Sequence, residues 1–147
     1  MKKILLITVL VLGFISMSNA QVDGSAIGLR LGYGAELSYQ QALSSANRLE
    51  LDLGLNSLDV NAIYLSGVFQ WVWDLSALAD GFNWYAGAGA AVGIDNGVGV
   101  AALGQLGIEY NFNIPLQLSL DWRPALGIVP AIGFGYQGIA LGVRYKF

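Results

Sequence analysis

The sequence contains neither cysteine nor histidine. Without cysteine the chain forms no disulfide bond, and it has no cysteine to which a lipid could be attached. Without histidine, the usual base that activates a serine nucleophile at neutral pH is missing, together with most transition-metal sites. The two absences therefore exclude histidine-dependent hydrolysis and most transition-metal chemistry.

Charged residues are also scarce, at 12% of the chain, whereas 55% of the residues are hydrophobic. The formal net charge of −3 disfavours nucleic-acid binding, which uses a basic surface. The mean hydropathy of +0.56 is high for a soluble protein. Outside the first twenty residues, the best candidate for a membrane-spanning helix is residues 124–143. This stretch contains two prolines and five glycines. High hydropathy without a spanning helix leaves the closed β-barrel as the other structure that can cross a membrane.

Residues 1–20 have the three parts of a secretory signal peptide. Lys2 and Lys3 form the basic start, residues 4–15 the apolar centre, and the small residues of SNA end it at Ala20. We expect cleavage after Ala20, which leaves residues 21–147 as one domain. A membrane anchor is the alternative, but the apolar run is short for a bilayer.

Apolar residues alternate with polar or small ones through the remaining sequence, which predicts β-strands. In RLELDLGL, residues 48–55, four leucines share one face, while an arginine, two acids and a glycine share the other. The sequence Asp95-Asn96-Gly97 predicts a hairpin turn. Such segments predict eight strands, although residues 26–41 read as one long strand would give seven. We prefer eight, because an even number returns both termini to one side of a bacterial barrel.

Aromatic pairs fall at the same end of four predicted strands, and by parity all of them face outward. Such a band resembles the aromatic girdle of a transmembrane barrel. The pairs are Trp71 with Trp73, Phe82 with Trp84, Tyr110 with Phe112, and Tyr145 with Phe147.

Ten charged residues lie on the strand faces opposite the apolar stripe and are predicted to form a network in the bore of the barrel. They are Arg30, Glu36, Arg48, Glu50, Asp52, Glu109, Asp121, Arg123, Arg144 and Lys146. Because buried charges need partners, we expect the arginines to contact the acids across strands. The alternative is a soluble barrel or sandwich, in which the apolar face would point inward. The small number of lysines and the short turns favour the membrane barrel.

The chain ends in an alternating strand in which Gly142 precedes Tyr145 and the terminal Phe147. This arrangement resembles the C-terminal signal of outer-membrane β-barrels. Together with AELSYQQAL, NRLELDLGL, GFNWYAGAGA, GIEYNF, PLQLSLDWRP and ALGVRYKF, it resembles the small eight-stranded outer-membrane barrels of the OmpA/OmpX type from Gram-negative bacteria. The resemblance implies an all-β fold, an eight-stranded antiparallel up-and-down transmembrane β-barrel over residues 21–147. It also implies that the three residues serve as a barrel-insertion signal.

The same resemblance implies an outer-membrane location and certain partners, but no reaction. The implied partners are membrane lipids, lipopolysaccharide, and the barrel-assembly machinery through the C-terminal strand. We expect a monomeric, non-enzymatic protein with a structural or envelope-stabilising role and a bore filled by side chains, without an open pore. No catalytic residue, cofactor or metal ion is predicted. Glu50 and Asp52 share a face and could bind Ca²⁺, but we prefer their pairing with arginines.

Two alternatives remain open. The apolar stretch RPALGIVPAIGFGY predicts a lid or a site for a small apolar ligand or lipid at the outer mouth, with the contact residues Val129, Ile132, Phe134 and Tyr136. A patch of small outward residues could instead admit a partner within the membrane, although we prefer lipid tails as its occupants. The patch consists of Ala86, Ala88, Ala90, Ala102 and Gly104.

Overall fold

The computed structural model of the protein describes residues 2–5, 22, 24–32, 34–55, 63–94, 97–129, 132–135 and 138–147. Residues 2–5 are helical. The rest of the predicted signal peptide, Asp95 and Asn96 of the predicted turn, and Tyr136 of the predicted mouth lie outside the described residues. Among the described residues, no helix is long and apolar enough to cross a membrane.

The described chain forms ten antiparallel β-segments. They are β1 (Ser25–Leu31), β2 (Ala35–Ala42), β3 (Asn47–Leu55), β4 (Ile63–Asp74), β5 (Phe82–Ile94), β6 (Val98–Asn111), β7 (Leu116–Trp122), β8 (Ala125–Val129), β9 (Gly133–Gly135) and β10 (Ile139–Lys146). Segments β1 to β6 pair in chain order, β6 pairs with both β7 and β8, and β10 pairs with β7 and β1, which closes the sheet. Because β7–β8 and β9–β10 are each two parts of one strand, the described residues form the predicted eight-stranded barrel.

The interruption between β7 and β8 lies at Pro124. The register against β6 continues across it, since Leu106 lies opposite Trp122 and Leu103 lies opposite Ala125. Proline has no N–H to donate to a neighbouring strand, but the carbonyl of Pro124 accepts a hydrogen bond from Gly104 N–H at 3.0 Å. The two segments therefore form one wall of the barrel with a local gap in its hydrogen bonding.

The interior of the barrel is polar and its outer surface is apolar. On β3, Glu50 and Asp52 are completely buried, whereas Leu51 and Leu53 are exposed. Among the described residues other than glycine, sixteen polar or charged residues are buried but only five hydrophobic ones. The soluble alternative, in which the apolar face fills the core, is therefore wrong. A polar interior with an apolar outer surface is the arrangement of a transmembrane barrel.

The two ends of the barrel differ, and we call them the base and the rim. The base holds Gly24, the C-terminal Phe147 and the connections at 43–46, 75–81 and 112–115. Ser25 N–H donates to the carbonyl of Phe147 at 3.1 Å, which ties the two ends of the described barrel together. The rim holds the β1–β2 and β5–β6 connections.

Aromatic side chains of adjacent strands contact each other near the base. Trp73 and Trp84 stack with ring centroids 4.2 Å apart. Tyr110 packs against Phe82 of the adjacent strand at a centroid distance of 4.8 Å, and against Phe112, two residues further along its own chain segment, at 4.6 Å. Cross-strand aromatic pairs stabilise a sheet. The contacts produce the aromatic band that strand parity predicts, of the kind found where a barrel meets the membrane boundary.

At the rim, the prediction that Val129 contacts a ligand or forms a lid at the outer mouth is wrong, because its side chain does not point inward. The β6–β8 register shifts between Val100 and Ala101, so that Val129 lies opposite Val100 on the outer face. A bulge of one residue moves the following side chain to the other face of the sheet. Simple parity, counted from β7, therefore assigns Val129 to the wrong side.

The prediction that Phe134 covers the mouth is also wrong. Phe134 lies opposite Leu126 in the β8–β9 pair, and directly opposed residues point to the same face. Leu126 and Phe134 are 43% and 54% exposed, whereas Ala125 lines the interior. Ile132 lies between the two segments and is 84% exposed. The described parts of the apolar stretch, β8 and β9, pair with each other and extend the barrel wall.

Candidate functional site

Glu50 on β3 is the centre of the interior hydrogen-bond network. Its Oε1 accepts from Arg123 Nη2 at 2.5 Å, and its Oε2 accepts from Arg144 Nη2 at 3.2 Å. Three glutamine side chains donate to the same carboxylate, namely Gln40 at 2.6 Å, Gln70 at 3.1 Å and Gln105 at 3.4 Å. One carboxylate thus connects side chains from both halves of the barrel.

Arg123, directly after β7, bridges three carboxylates. Its Nη1 donates to Glu36 Oε1 and to Ser66 Oγ, both at 3.3 Å. Its Nη2 donates to Asp52 Oδ2 at 2.7 Å as well as to Glu50. Arg123 Nε and Asp52 Oδ1 are buried and have no hydrogen-bond partner among the described residues. This pair therefore carries one unused donor and one unused acceptor.

Arg30 on β1 forms a bidentate ion pair with Asp121 on β7. Arg30 Nε donates to Asp121 Oδ2 at 3.0 Å, and Nη2 donates to Asp121 Oδ1. Its Nη1 donates to Glu36 Oε2 at 2.6 Å, and Nη2 also donates to the carbonyl of Gly138 at 3.1 Å. The hydroxyl of Tyr64 donates to Glu36 Oε1 at 2.5 Å. Such fork-shaped, charge-assisted contacts fix the orientation of both partners.

Nearer the base, Arg48 forms a second bidentate ion pair, with Glu109. Its Nη1 and Nη2 lie 3.1 and 2.7 Å from the two carboxylate oxygens, and its Nε donates to Gln70 Oε1 at 2.5 Å. The guanidinium carbon lies 4.9 Å from the ring centroid of Tyr85, a cation–π distance. Asn83 Nδ2 donates to Glu109 at 3.1 Å. Gln70 links this pair to Glu50, so the network is continuous.

Arg144 on β10 occupies space that Gly142 leaves free. Arg144 Nε donates to Ser38 Oγ at 3.0 Å and Nη1 donates to Ser119 Oγ at 2.9 Å. A Cβ atom at position 142 would lie 2.3 Å from Ser119 Oγ and 2.6 Å from Arg144 Nη1. The glycine of the predicted insertion signal therefore has a packing role inside the barrel.

The structure brings nine of the ten predicted network residues into ion pairs with one another. The tenth, Lys146, lies towards the base and donates to Asn111 Oδ1 at 3.2 Å. Tyr145 and Phe147 of the predicted insertion signal are 57% and 66% exposed on the outer surface.

The predicted list of network residues is limited to charged side chains, and uncharged polar residues of the same inner faces complete the network. Their signal is the same strand parity that selects the charged residues, because they alternate with outward apolar side chains. They are Ser38, Gln40, Tyr64, Ser66, Gln70, Asn83, Tyr85, Gln105, Gln117 and Ser119.

From the sequence, Glu50 and Asp52 are also candidates for a Ca²⁺ site. In the structure Arg123 occupies the position between them, since it contacts both carboxylates. Within the described ranges, no group of three or more His, Cys, Asp or Glu side chains is arranged to hold a metal ion.

Two cavities lie at the ends of the network. A cavity of about 30 Å³ lies at the base, next to Arg48, Glu109 and Lys146. A larger cavity of about 240 Å³ lies at the rim, above Arg30, Glu36 and Arg123, and we call it the rim chamber.

The comparisons with known proteins bear on the fold. No family model matches the chain, and no curated protein matches it. The chain is similar to a solved structure described as a de novo designed transmembrane β-barrel, with a TM-score of 0.63 and 16% sequence identity over 89% of this chain and 99% of the design. At this identity the likeness shows the fold alone, which is that of a membrane β-barrel.

Proposed function

We propose that the protein is a non-enzymatic barrel of the bacterial outer membrane that stabilises the envelope and conducts no ions through its bore. The observation that carries the proposal is the layer around Glu50, where Arg123, Arg144 and three glutamines converge on one buried carboxylate. Eight strands enclose room for little more than their own side chains. We expect a mutually bonded layer of this kind to block a continuous water path.

The outer-membrane location and the partners belong to the same proposal. Tyr145 and Phe147 lie on the outer surface of the last strand, where the assembly machinery can reach them during insertion. Exposed aliphatic residues such as Leu29, Leu53 and Leu141 provide a surface for lipid and lipopolysaccharide chains. The protein acts as a monomer in this proposal, since the barrel closes on itself.

Planar-bilayer recording tests the closed bore. The purified protein, shown to be folded by its heat-modifiable gel mobility, is reconstituted beside a porin prepared in the same way. We expect no steady ohmic conductance from the protein and normal conductance from the porin. A stable conductance of porin size would contradict the closed bore.

The envelope role requires a separate test in cells. A strain that lacks the protein is expected to become more sensitive to detergent and to be restored by the parent gene. Fractionation should recover the protein with the outer membrane. Recovery in the soluble fraction without detergent, or unchanged sensitivity of the deletion strain, would contradict the location or the role respectively.

A further inference from the structure

The rim chamber exists because the inward positions above the charged layer are occupied by small residues. Five strands contribute such residues, in or next to their rim-side parts, while larger polar side chains such as Arg30, Glu36 and Arg144 occupy inward positions lower in the bore. The small lining residues are Gly32, Gly34, Ala91, Ala125, Gly138 and Ala140. Because glycine and alanine cannot fill a bore of this width, a space of about 240 Å³ remains. A cavity of about 150 Å³ accommodates benzene, so the chamber can hold a somewhat larger molecule.

The floor and the walls of the chamber differ in chemistry. The floor consists of the paired side chains Arg30, Glu36 and Arg123, whereas Leu103 and the alanines form an apolar wall, next to Tyr64. A polar floor with apolar walls suits an amphipathic molecule, because small-molecule sites are mostly apolar with a few oriented polar groups.

Arg123 of the floor has an unused donor, and its partner Asp52, which does not line the chamber, has an unused acceptor. Arg123 is 7% exposed and its Nε has no hydrogen-bond partner among the described residues, and the same holds for Oδ1 of the fully buried Asp52. Asp52 Oδ2 is already bonded to Arg123, so the two unused atoms belong to one ion pair. A buried polar group without a partner is costly, and a ligand oxygen that accepts from Arg123 Nε would remove that cost for the donor.

The ion pairs also select against charge. Each charged group of the floor already has an oppositely charged partner, since Arg30 contacts Asp121 and Glu36, and Arg123 contacts Glu36 and Asp52. An ionic ligand of either sign would lose its hydration without finding a free counter-charge. A neutral polar group avoids that loss.

We propose that the rim chamber binds a small neutral molecule with one hydroxyl-like or amide-like end directed to Arg123 and an apolar body directed to the walls. The molecule contains at most about ten non-hydrogen atoms, scaled from the volume that holds benzene. This inference goes beyond the proposed function and fails separately from it, because binding is measured in the chamber and conductance through the layer below.

Benzyl alcohol, with eight non-hydrogen atoms, is a suitable probe, and its relatives toluene, benzoate and benzylammonium change one property each. Each is titrated into the isotopically labelled, detergent-solubilised protein while amide NMR shifts are recorded, with concentrations corrected for partition into micelles. We expect saturable shifts at rim-chamber amides with benzyl alcohol, at least tenfold weaker binding of toluene, and no saturable shift with the two ions. Equal binding of all four probes, or shifts confined to outer-face amides, would overturn the proposal.

A matched pair of variants locates the site. Ala91 lines the chamber, whereas its neighbour Ala90 is exposed on the outer face. Ala91→Leu should abolish the saturable shifts by filling the chamber, and Ala90→Leu should leave them unchanged. Ala125→Leu fills the chamber from β8, on the other side of β6, and replaces Ala91→Leu if that variant fails to fold. Undiminished binding in a folded chamber-filling variant would refute the site.

Discussion

Glu50 and Arg144 are both completely buried, and Arg144 Nη2 lies 3.2 Å from Glu50 Oε2 in the middle of the bore. Glu50 also holds Arg123 on its other oxygen. The two arginines come from strand segments far along the chain, so this carboxylate connects the third barrel strand with the seventh and the eighth. The stability of the barrel should therefore depend strongly on this one side chain.

Glu50→Ala is expected to lower the free energy of unfolding by about 3–5 kcal/mol, because it leaves buried arginine charge uncompensated. Urea unfolding in lipid vesicles, followed by tryptophan fluorescence, measures the change. Asp80→Ala, at an exposed turn, serves as the control and should stay within about 0.5 kcal/mol of the parent. A loss at Glu50 no larger than that of the control would mean that water solvates the centre of the bore.

Arg48 and Glu109 should show a favourable coupling free energy in a double-mutant cycle. Either single substitution to alanine leaves its buried partner unpaired and should cost about 3–5 kcal/mol. The double variant should be more stable than the sum of the two losses predicts, because it removes both charges. The same unfolding assay provides all four free energies. Full stability of Arg48→Ala alone would show that the pairing is unimportant.

Gly142→Ala should destabilise the barrel by about 1–3 kcal/mol, the usual cost of overpacking. The added methyl group would approach Ser119 Oγ and Arg144 Nη1 far inside contact distance. Gly104→Ala is the matched control, since its nearest neighbour would be Pro124 Cγ at 3.5 Å. If Gly142→Ala unfolds like the parent in vitro, the glycine has no packing role and matters only to insertion.

The small outward patch around Ala88 is expected to face lipid tails. Crosslinking of Ala88→Cys in outer membranes should give the monomer alone, as should Leu29→Cys on the β1 side of the barrel, where the side chain is also exposed. The measurement is gel mobility after treatment of the membranes with a short bifunctional thiol reagent. A discrete larger product from Ala88→Cys and not from Leu29→Cys would establish a lateral partner.

How much of the fold is predictable follows from the period of the strands. In residues 48–55 every second residue is leucine, and the strand period of two puts those residues on one face regardless of which strands are neighbours. The same rule assigns Arg48, Glu50 and Asp52 to one interior. The same period predicts eight strands and the outward aromatic pairs. It also predicts the membrane barrel, because each strand has one polar face for the interior and one apolar face for lipid.

Strand parity assigns a side chain to the wrong face where a bulge inserts one residue, or where the register of a hairpin is not known from the sequence. The bulge between Val100 and Ala101 moves Val129 to the outer face, and the β8–β9 register moves Phe134 there as well. No local pattern signals either shift, because a bulge depends on the hydrogen bonds available in the partner strand.

The sequence by itself determined which side chains enter the bore, because alternation is local and survives any arrangement of strands. Only the tertiary structure decided which of them meet. Arg30 reaches Asp121, 91 residues away, because the closed barrel makes β10 the only segment between β1 and β7. The rim chamber likewise arises only when small residues from five strands face one another inside the closed barrel. Curvature and register, which belong to the assembled sheet, bring those positions together.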